Sequence, residues 1–176
     1  MEWISLFLKM ENKKVFILGS GEVGFRRAER FLNSKSKVII AGNSLSKKLK
    51  EKGAILEEID LKIDPTAETL MKLNNIINWS DLVVIASENP FLNEKVSLMA
   101  KDKLLNRADF PKKGNVIVPT KFNIDNIEIS IYTNGKSPLM ARELRKRLSK
   151  AITTEDILQI KLQEYIRDIL KKENLN

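Results

Sequence analysis

Three closely spaced glycines form a turn that could hold phosphate groups. Gly19, Gly21 and Gly24 give the pattern G-x-G-x-x-G directly after an apolar run and at the start of a helical run. In such a unit the first glycine permits a tight turn, the second lets a pyrophosphate approach the backbone, and the third allows close helix packing. The free N–H groups at the helix start would then face the phosphates. The pattern favours dinucleotide binding over a purely structural turn, with contacts from Gly19, Ser20, Gly21, Glu22, Val23 and Gly24.

The predicted ribose contact departs from the usual pattern. A dinucleotide-binding unit commonly carries an acidic residue about 20 positions after the glycine turn, and none is present here. The second predicted strand ends in A-G-N-S, so Asn43 or Ser44 takes that place in our prediction. Lys47 and Lys48 follow closely enough to meet a 2′-phosphate, but they are more typical of a solvated helix. We therefore predict NAD rather than NADP.

A second group of cofactor contacts is expected after the fourth predicted strand, DLVVIAS. In a doubly wound sheet, ligands bind at the carboxyl ends of the strands. This rule adds four residues to the predicted cofactor site: Ala86, Ser87, Glu88 and Asn89.

The composition limits the available chemistry. The chain has no histidine and no cysteine, so a general base has to be a carboxylate, a lysine or a tyrosine. Disulfides and thiolate metal sites are excluded, any metal would need oxygen ligands, and we predict no metal site. The net charge of +8 favours anionic partners such as phosphates, polycarboxylates or nucleic acid, without choosing among them.

The basic residues include a concentrated segment, NGKSPLMARELRKRL, at residues 134–148. Ser137 can cap a helix, and Pro138 suits the first helical position. Arg142 and Arg145 are three positions apart, so they share one helix face. Arginine can bind a carboxylate through two parallel hydrogen bonds, but a solvated or ion-paired helix face explains the same pattern.

Alternating strands and helices have to position these residues. Strands are predicted at Lys14–Leu18, Lys37–Gly42, residues 54–59 and Asp81–Ser87. Helices are predicted from about Glu22 to Leu32, with Val23, Ala28, Phe31 and Leu32 facing inward, and then at residues 45–53, Ala67–Asn78 and residues 93–105. Strands without polar alternation, separated by helices, indicate a parallel sheet covered on both faces. The predicted fold class is α/β, with a Rossmann-type sheet.

The pattern changes after Pro111. Residues 114–122 and 126–135 read as two neighbouring strands, and the second alternates isoleucine with other residues as half-buried antiparallel strands do. The basic segment follows as a helix, and an amphipathic helix over residues 153–173 completes the chain. Its apolar residues are Leu158, Leu162, Tyr165 and Ile169, and Thr153 with Asp156 resembles a capping pair.

Several segments together resemble one family. An apolar LFL is followed in order by GSGEVGFRRAERFL, VVIASENPFLN, NRADFPKKGNVIVPT and ISIYTNGKSPLMARELRKRL. This arrangement is similar to the siroheme synthase N-terminal family, which contains precorrin-2 dehydrogenases, some of which are also sirohydrochlorin ferrochelatases. The resemblance covers roughly residues 3–150, and the G-K-S-P-x-x-A-R segment paired with D-x-P carries most of its specificity.

The resemblance implies a homodimer that oxidises precorrin-2 to sirohydrochlorin with NAD, in siroheme biosynthesis. It implies an NAD-binding Rossmann domain at residues 1–113, a dimerisation region at 114–150 and a helical C-terminal segment at 151–176. The family's catalytic aspartate falls in D-x-P, which is Asp109 here. Precorrin-2 carries carboxylates around its rim, so the basic segment becomes the expected substrate site, with contacts from Lys136, Ser137, Arg142 and Arg145.

Two positions depart from the family pattern. Gly24 is often alanine in relatives, a difference that is expected to be harmless. Asn134 stands where relatives usually have glycine, and because asparagine tolerates a left-handed backbone, the turn is expected to survive. The C-terminal part is shorter than in many relatives, which is expected to alter the substrate cleft.

Other functions remain open at this point. One is a bifunctional enzyme that also inserts Fe²⁺ into sirohydrochlorin, and another is a nucleotide-sensing Rossmann module without chemistry. A nucleic-acid binder is disfavoured because aromatic residues make up only 6% of the chain and are scattered. The apolar start lacks the features of a signal peptide, and no apolar run reaches membrane-spanning length. We therefore expect a cytoplasmic protein without a nucleic-acid or membrane partner.

Overall fold

The computed structural model describes residues 3–173, which form two compact units. The first unit ends at Ile117 and the second begins at Val118. The three-part division at residues 113 and 150 stays a prediction. Residues 174–176 of its last part lie outside the described residues, as do residues 1–2.

A five-stranded parallel sheet forms the centre of the first unit. Its strands are β1 (Lys14–Leu18), β2 (Lys37–Gly42), β3 (Ile55–Glu58), β4 (Leu82–Ile85) and β5 (Leu104–Arg107). Their order across the sheet is β3-β2-β1-β4-β5, and every neighbouring pair is parallel. The chain therefore places β2 and β3 on one side of β1, and β4 and β5 on its other side. The loops that follow β1 and β4 consequently lead away from each other, which is where a doubly wound sheet leaves a crevice for a ligand.

Helices cover both faces of this sheet. They are α1 (Glu22–Asn33), α2 (Lys47–Glu51), α3 (Ala67–Trp79) and α4 (Pro90–Met99). Phe16 and Leu18 of β1 belong to one apolar cluster with Leu73 of α3. Val15 and Ile17 point to the opposite face, because strand residues alternate, and they are also fully buried. The predicted Rossmann-type α/β fold is confirmed.

The fifth strand corrects the sequence analysis. The helix predicted over residues 93–105 ends at Met99, and β5 takes up its last residues. The prediction was wrong because only the first two residues of β5 are apolar, whereas Asn106 and Arg107 look like surface residues. Both are nevertheless buried. Asn106 Nδ2 donates to the carbonyl of Val116 at 2.8 Å, and Arg107 is paired with acidic side chains.

The second unit contains an antiparallel strand pair and two helices. They are β6 (Thr120–Ile124), β7 (Ile127–Ile131), α5 (Pro138–Ala151) and α6 (Thr154–Glu173). The antiparallel pairing of β6 with β7 is confirmed, and α5 packs against both strands. The predicted capping pair is also confirmed, since Asp156 Oδ2 accepts from the Thr153 N–H at 2.8 Å while Thr153 Oγ1 accepts from the Asp156 N–H at 3.2 Å.

The long helix α6 exposes its apolar residues. Leu158, Leu162, Tyr165 and Ile169 are all exposed in the single chain. Across residues 3–173, no helix has both the length and the apolar character that crossing a lipid bilayer requires.

Candidate functional site

A cleft of about 900 Å³ opens at the carboxyl ends of the parallel strands in the first unit. Segments that follow each of the five strands contribute to it. Most of the predicted cofactor contacts meet there, together with the predicted catalytic carboxylate: Gly19, Ser20, Gly21, Glu22, Val23, Asn43, Ala86, Ser87, Glu88, Asn89 and Asp109. The cleft lies where the sheet topology leaves room for a ligand.

The glycine turn has the geometry that phosphate binding requires. Gly19 has a φ of +114°, and a Cβ atom there would lie 2.5 Å from the carbonyl oxygen of Ala86. Its lack of a side chain therefore lets the turn pass close to the segment after β4. Gly21 has nothing within 4 Å of a would-be Cβ, so open space faces its backbone at the start of α1.

Two residues of the glycine turn show more than the sequence analysis did. Glycine was expected to be harmless at position 24, and the turn leaves no room for a larger residue there, since a Cβ on Gly24 would collide with the carbonyl oxygen of Gly19. Val23 was expected to face inward, but it is 39% exposed and lines the cleft. Since α1 begins at Glu22, its first turn projects beyond the end of β1 and faces the cleft rather than the core.

The predicted ribose contacts separate. Asn43 lines the cleft, whereas Ser44 lines a smaller cavity of about 200 Å³ together with Ser20. The two nearby lysines are engaged elsewhere, because Lys48 lies 2.5 Å from Glu29 and Lys47 lies 3.9 Å from Glu51. Of the predicted ribose contacts, Asn43 is the one that the cleft contains.

The segment after β4 is fixed by hydrogen bonds. Asn89 caps α4 by accepting from the Leu92 N–H at 3.0 Å, and its Nδ2 donates to the carbonyl of Leu61 at 2.9 Å. Asn93 is buried, its Nδ2 donates to the Ser87 carbonyl at 2.9 Å, and its Oδ1 accepts from the Ser87 hydroxyl at 2.5 Å. The backbone at this edge of the cleft is therefore held from both α4 and the loop after β3.

Asp109 follows β5 and is paired with a buried arginine. Arg107 donates from Nε to Asp109 Oδ1 at 2.8 Å and from Nη2 to Asp109 Oδ2 at 2.7 Å. Asn93 Nδ2 also donates to Oδ2, at 3.0 Å. The Asp109 side chain is 23% exposed and the Arg107 side chain 2% exposed, so the carboxylate faces the cleft while the cation lies behind it.

These contacts set the ionisation of Asp109. Burial by itself raises the pKa of this carboxyl, but the hydrogen bonds and charge of Arg107, with backbone N–H groups, outweigh it and the net pKa is lowered. The hydrogen bonds that Arg107 donates to Asp109, and the one that it donates to Glu94, raise the pKa of Arg107. Asp109 is therefore a carboxylate throughout the neutral pH range.

The cleft is acidic although the chain is basic. Among its described lining residues, four are acidic and one is basic: Glu22, Asp64, Glu88, Asp109 and Lys62. Glu22 pairs with Arg26 and Asp109 with Arg107, but neither arginine lines the cleft. Negative charge therefore faces the ligand space, and the compensating cations lie outside it.

Sequence reasoning missed several of these residues. Asp64 and Lys62 sit in the loop after β3, which carries no motif, and they reach the cleft only through the strand order. Arg107 carried a signal that was overlooked, since an arginine two positions before an aspartate at a strand end can turn back onto it. Asn93 gave no signal, because an asparagine in a helix is usually solvated.

The predicted substrate residues all lie in the second unit. Ser137 caps α5 by accepting from the Met140 N–H at 3.1 Å. Within residues 3–173, no ion pair involves Lys136, Arg142 or Arg145, whereas Lys146 pairs with Glu143 at 3.0 Å.

The turn before α5 is left-handed, as the sequence analysis expected. Asn134 has a φ of +54° and Gly135 a φ of +71°.

The described part of the chain holds no group of three or more Asp, Glu, His or Cys side chains placed to bind a metal ion.

Comparison with known proteins adds the family context. Residues 6–120 match a family model described as "Putative NAD(P)-binding". A Methanocaldococcus jannaschii protein, "Putative precorrin-2 dehydrogenase", is 34% identical over 174 residues, which are 96% of this chain and 82% of that protein. "Precorrin-2 dehydrogenase" of Methanosarcina barkeri is 29% identical over 97% of this chain and 75% of its own length.

A solved structure shares the fold. The structure of "SirC, precorrin-2 dehydrogenase" has a TM-score of 0.68 with this chain, at 20% identity, and covers 86% of this chain and 72% of its own. At this level of identity the likeness concerns the fold.

Proposed function

The chain belongs to the precorrin-2 dehydrogenase family, and from this premise we propose that it oxidises precorrin-2 to sirohydrochlorin with NAD. It is an oxidoreductase, and the reaction converts precorrin-2 and NAD⁺ into sirohydrochlorin, NADH and a proton. The observation that carries the proposal is the cleft, which joins a phosphate-binding glycine turn to a fixed carboxylate, Asp109.

NAD is proposed to lie along the carboxyl edge of the sheet. Its pyrophosphate would meet the open backbone at Gly21, where the start of α1 offers free N–H groups and a partial positive charge. The adenosine ribose would lie toward Asn43 after β2. This direction leaves the nicotinamide on the β4 and β5 side, beside Ser87 and Asp109.

Asp109 is proposed to orient the substrate and accept its proton. The cofactor takes the hydride and supplies that part of the chemistry. Hydride loss leaves the tetrapyrrole with a delocalised positive charge, which makes its N–H protons acidic. A weak base can then complete the reaction, so a carboxylate with a lowered pKa is adequate. The same anion would stabilise the positive charge as it develops.

The substrate carboxylates are proposed to bind the basic segment of the second unit. Lys136, Arg142 and Arg145 are the candidates, with the capped helix start at Ser137 beside them. Their availability supports the assignment, because none of these three cations forms an ion pair within residues 3–173, whereas Lys146 on the same helix pairs with Glu143.

An Arg142→Ala variant is expected to bind sirohydrochlorin about tenfold or more weakly, since a charged hydrogen bond contributes about 1.5–3 kcal/mol. NAD binding should stay unchanged. Titration calorimetry with each ligand separately measures both affinities. Arg147→Ala is the matched control, because Arg147 is exposed on the same helix and points in another direction. Equal losses for both ligands in Arg142→Ala would contradict the assignment.

A homodimer is proposed, with the second unit as its interface. The exposed apolar residues of α6 support this, because an apolar helix face of this length is unfavourable in water. Analytical ultracentrifugation should give twice the chain mass of 20.1 kDa. A Leu162→Glu change on α6 should shift the protein toward monomer, whereas Lys171→Glu, an exposed change elsewhere on the same helix, should not. A monomeric unmodified protein would contradict the dimer.

The central experiment is NADH formation from enzymatically prepared precorrin-2, followed by absorbance. The expected result is one NADH for each sirohydrochlorin formed. Absence of NADH formation above a protein-free control would overturn the proposed function. Anaerobic incubation with sirohydrochlorin and Fe²⁺, without NAD, separately tests the ferrochelatase alternative through the siroheme spectrum.

A further inference from the structure

Arg107 is a charged side chain in an unusual place. It is the last residue of β5, it is 2% exposed, and it is among the largest fully buried side chains of the described chain. Transferring a charge from water to a protein interior is strongly unfavourable unless the charge is paired and hydrogen-bonded. Arg107 meets that requirement through Asp109 and Glu94, the latter accepting from Nη2 at 2.9 Å.

Stability alone does not explain this arrangement. A buried ion pair often contributes no more to stability than apolar side chains of similar volume would, because both charges lose their hydration. Arg107 also carries an added penalty, since its buried Nη1 donates to no other atom among the described residues. The position is therefore a poor choice for stability and needs another explanation.

The orientation of the Arg107–Asp109 pair suggests an explanation for the buried arginine. The planar guanidinium of Arg107 forms a bidentate hydrogen bond with both carboxylate oxygens of Asp109, which fixes the plane of the carboxylate as well as its position. Asn93 adds a third contact from α4, and its own amide is held by Ser87. Two elements of the first unit, β5 and α4, thus hold a carboxylate whose remaining surface faces the cleft.

We propose that Arg107 is a positioning residue, which holds Asp109 as an oriented anion for the dehydrogenation without touching the substrate itself. The proposal rests on the proposed function, because its main measurement is turnover. The charged groups around Asp109 are Arg107 on β5, Glu94 on α4, and Lys113, which lies 3.0 Å from Glu94. Burial raises the pKa of the Asp109 carboxyl and Arg107 lowers it, so removal of Arg107 would leave the effect of burial without its main opposing contact.

The test compares pH profiles of kcat for the unmodified enzyme and an Arg107→Met variant. In the unmodified enzyme the lowered pKa keeps Asp109 ionised, so its acid limb lies below the ordinary aspartate pKa of about 3.9. In Arg107→Met the pKa rises, so the acid limb should move to higher pH by about 1–3 units, the usual effect of an adjacent opposite charge. The KM for NAD should change little. Arg107→Lys, which keeps the charge and loses the fork, should give an intermediate shift.

Lys113→Gln is the matched control, because it removes a cation that contacts Glu94 and not Asp109. Its acid limb should stay near that of the unmodified enzyme. Active Arg107 variants with an unchanged pH profile and kcat would overturn the proposal. An unmodified enzyme that forms no NADH would instead overturn the proposed function, so the two failures are distinguishable.

A measurement on the native residue covers variants that do not fold. The Arg107 Nε–H should give a slowly exchanging ¹⁵N-correlated signal, because Nε is buried and bonded to Oδ1. Asp109→Asn should shift that signal and speed its exchange. A signal exchanging as fast as that of a surface arginine would contradict the proposal.

Discussion

An Asp109→Ala variant is expected to lose at least about a hundredfold in turnover with precorrin-2, since positioned acid–base groups contribute about 10²–10⁴-fold. The loss should fall on kcat. The affinity for NAD should change far less than turnover, because the glycine turn and Asn43 would still hold the rest of the cofactor. Steady-state absorbance assays and NAD titration measure the two quantities.

Two further variants make this result specific. Removing one member of a buried pair can cost about 3–5 kcal/mol, so Asp109→Ala needs a thermal melt to confirm that it is folded. Asp109→Asn retains the shape of the side chain and should also be strongly impaired. Asp102→Asn, an exposed change in the loop before β5, should be fully active. Unchanged turnover in Asp109→Asn would remove Asp109 from the reaction.

A Gly21→Val variant is expected to lose NAD binding while remaining folded. Gly21 has ordinary extended backbone angles, φ −72° and ψ −174°, and a Cβ atom there would have no protein atom within 4 Å. The added side chain would instead occupy the space where the pyrophosphate approaches the N–H groups of α1. We expect the Kd for NAD to rise at least about tenfold, equivalent to about 1.4 kcal/mol. The melting temperature should fall only slightly, because Gly21 is the N-cap of α1 and an apolar N-cap costs up to about 1 kcal/mol.

Gly24→Ala is the contrasting change within the same turn. Its Cβ would collide with the Gly19 carbonyl, and overpacking of this kind typically costs about 1–3 kcal/mol. The expected result is a lower urea midpoint in a protein whose cleft lining is otherwise unchanged, because Gly24 itself does not line the cleft. Full stability in Gly24→Ala, or unweakened NAD binding in Gly21→Val, would contradict these assignments.

The sequence was sufficient for those parts of the fold and site that depend on local patterns. The glycine turn, the first four strands and the left-handed turn at Asn134 each follow from neighbouring residues. Strand β5 could not be predicted in this way, because the burial of Arg107 depends on Asp109 and on Glu94, which belongs to another element. A local sequence pattern does not predict that the charge of Arg107 will be paired with Glu94, which is 13 residues away.

The loop after β3 shows a second kind of limit. Lys62 and Asp64 reach the cleft because β3 lies at one edge of the sheet and Asn89 bonds to the carbonyl of Leu61. That placement depends on strand order and on a contact 28 residues away, neither of which a hydrophobic pattern encodes. The apolar residues of α6 are a third case, since the sequence pattern identified them correctly as one helix face, but they are exposed in the single chain.

The acidic cleft has a consequence for the redox step. The nicotinamide ring of NAD⁺ is positively charged and that of NADH is neutral, so a ring bound beside these carboxylates would be stabilised in its oxidised form relative to the reduced one. The bound couple would then have a lower reduction potential than the free couple, and hydride acceptance would become somewhat harder. The same preference would favour release of NADH and its replacement by NAD⁺. This preference weakens as salt screens the charges, so the ratio of the two cofactor affinities should fall with ionic strength.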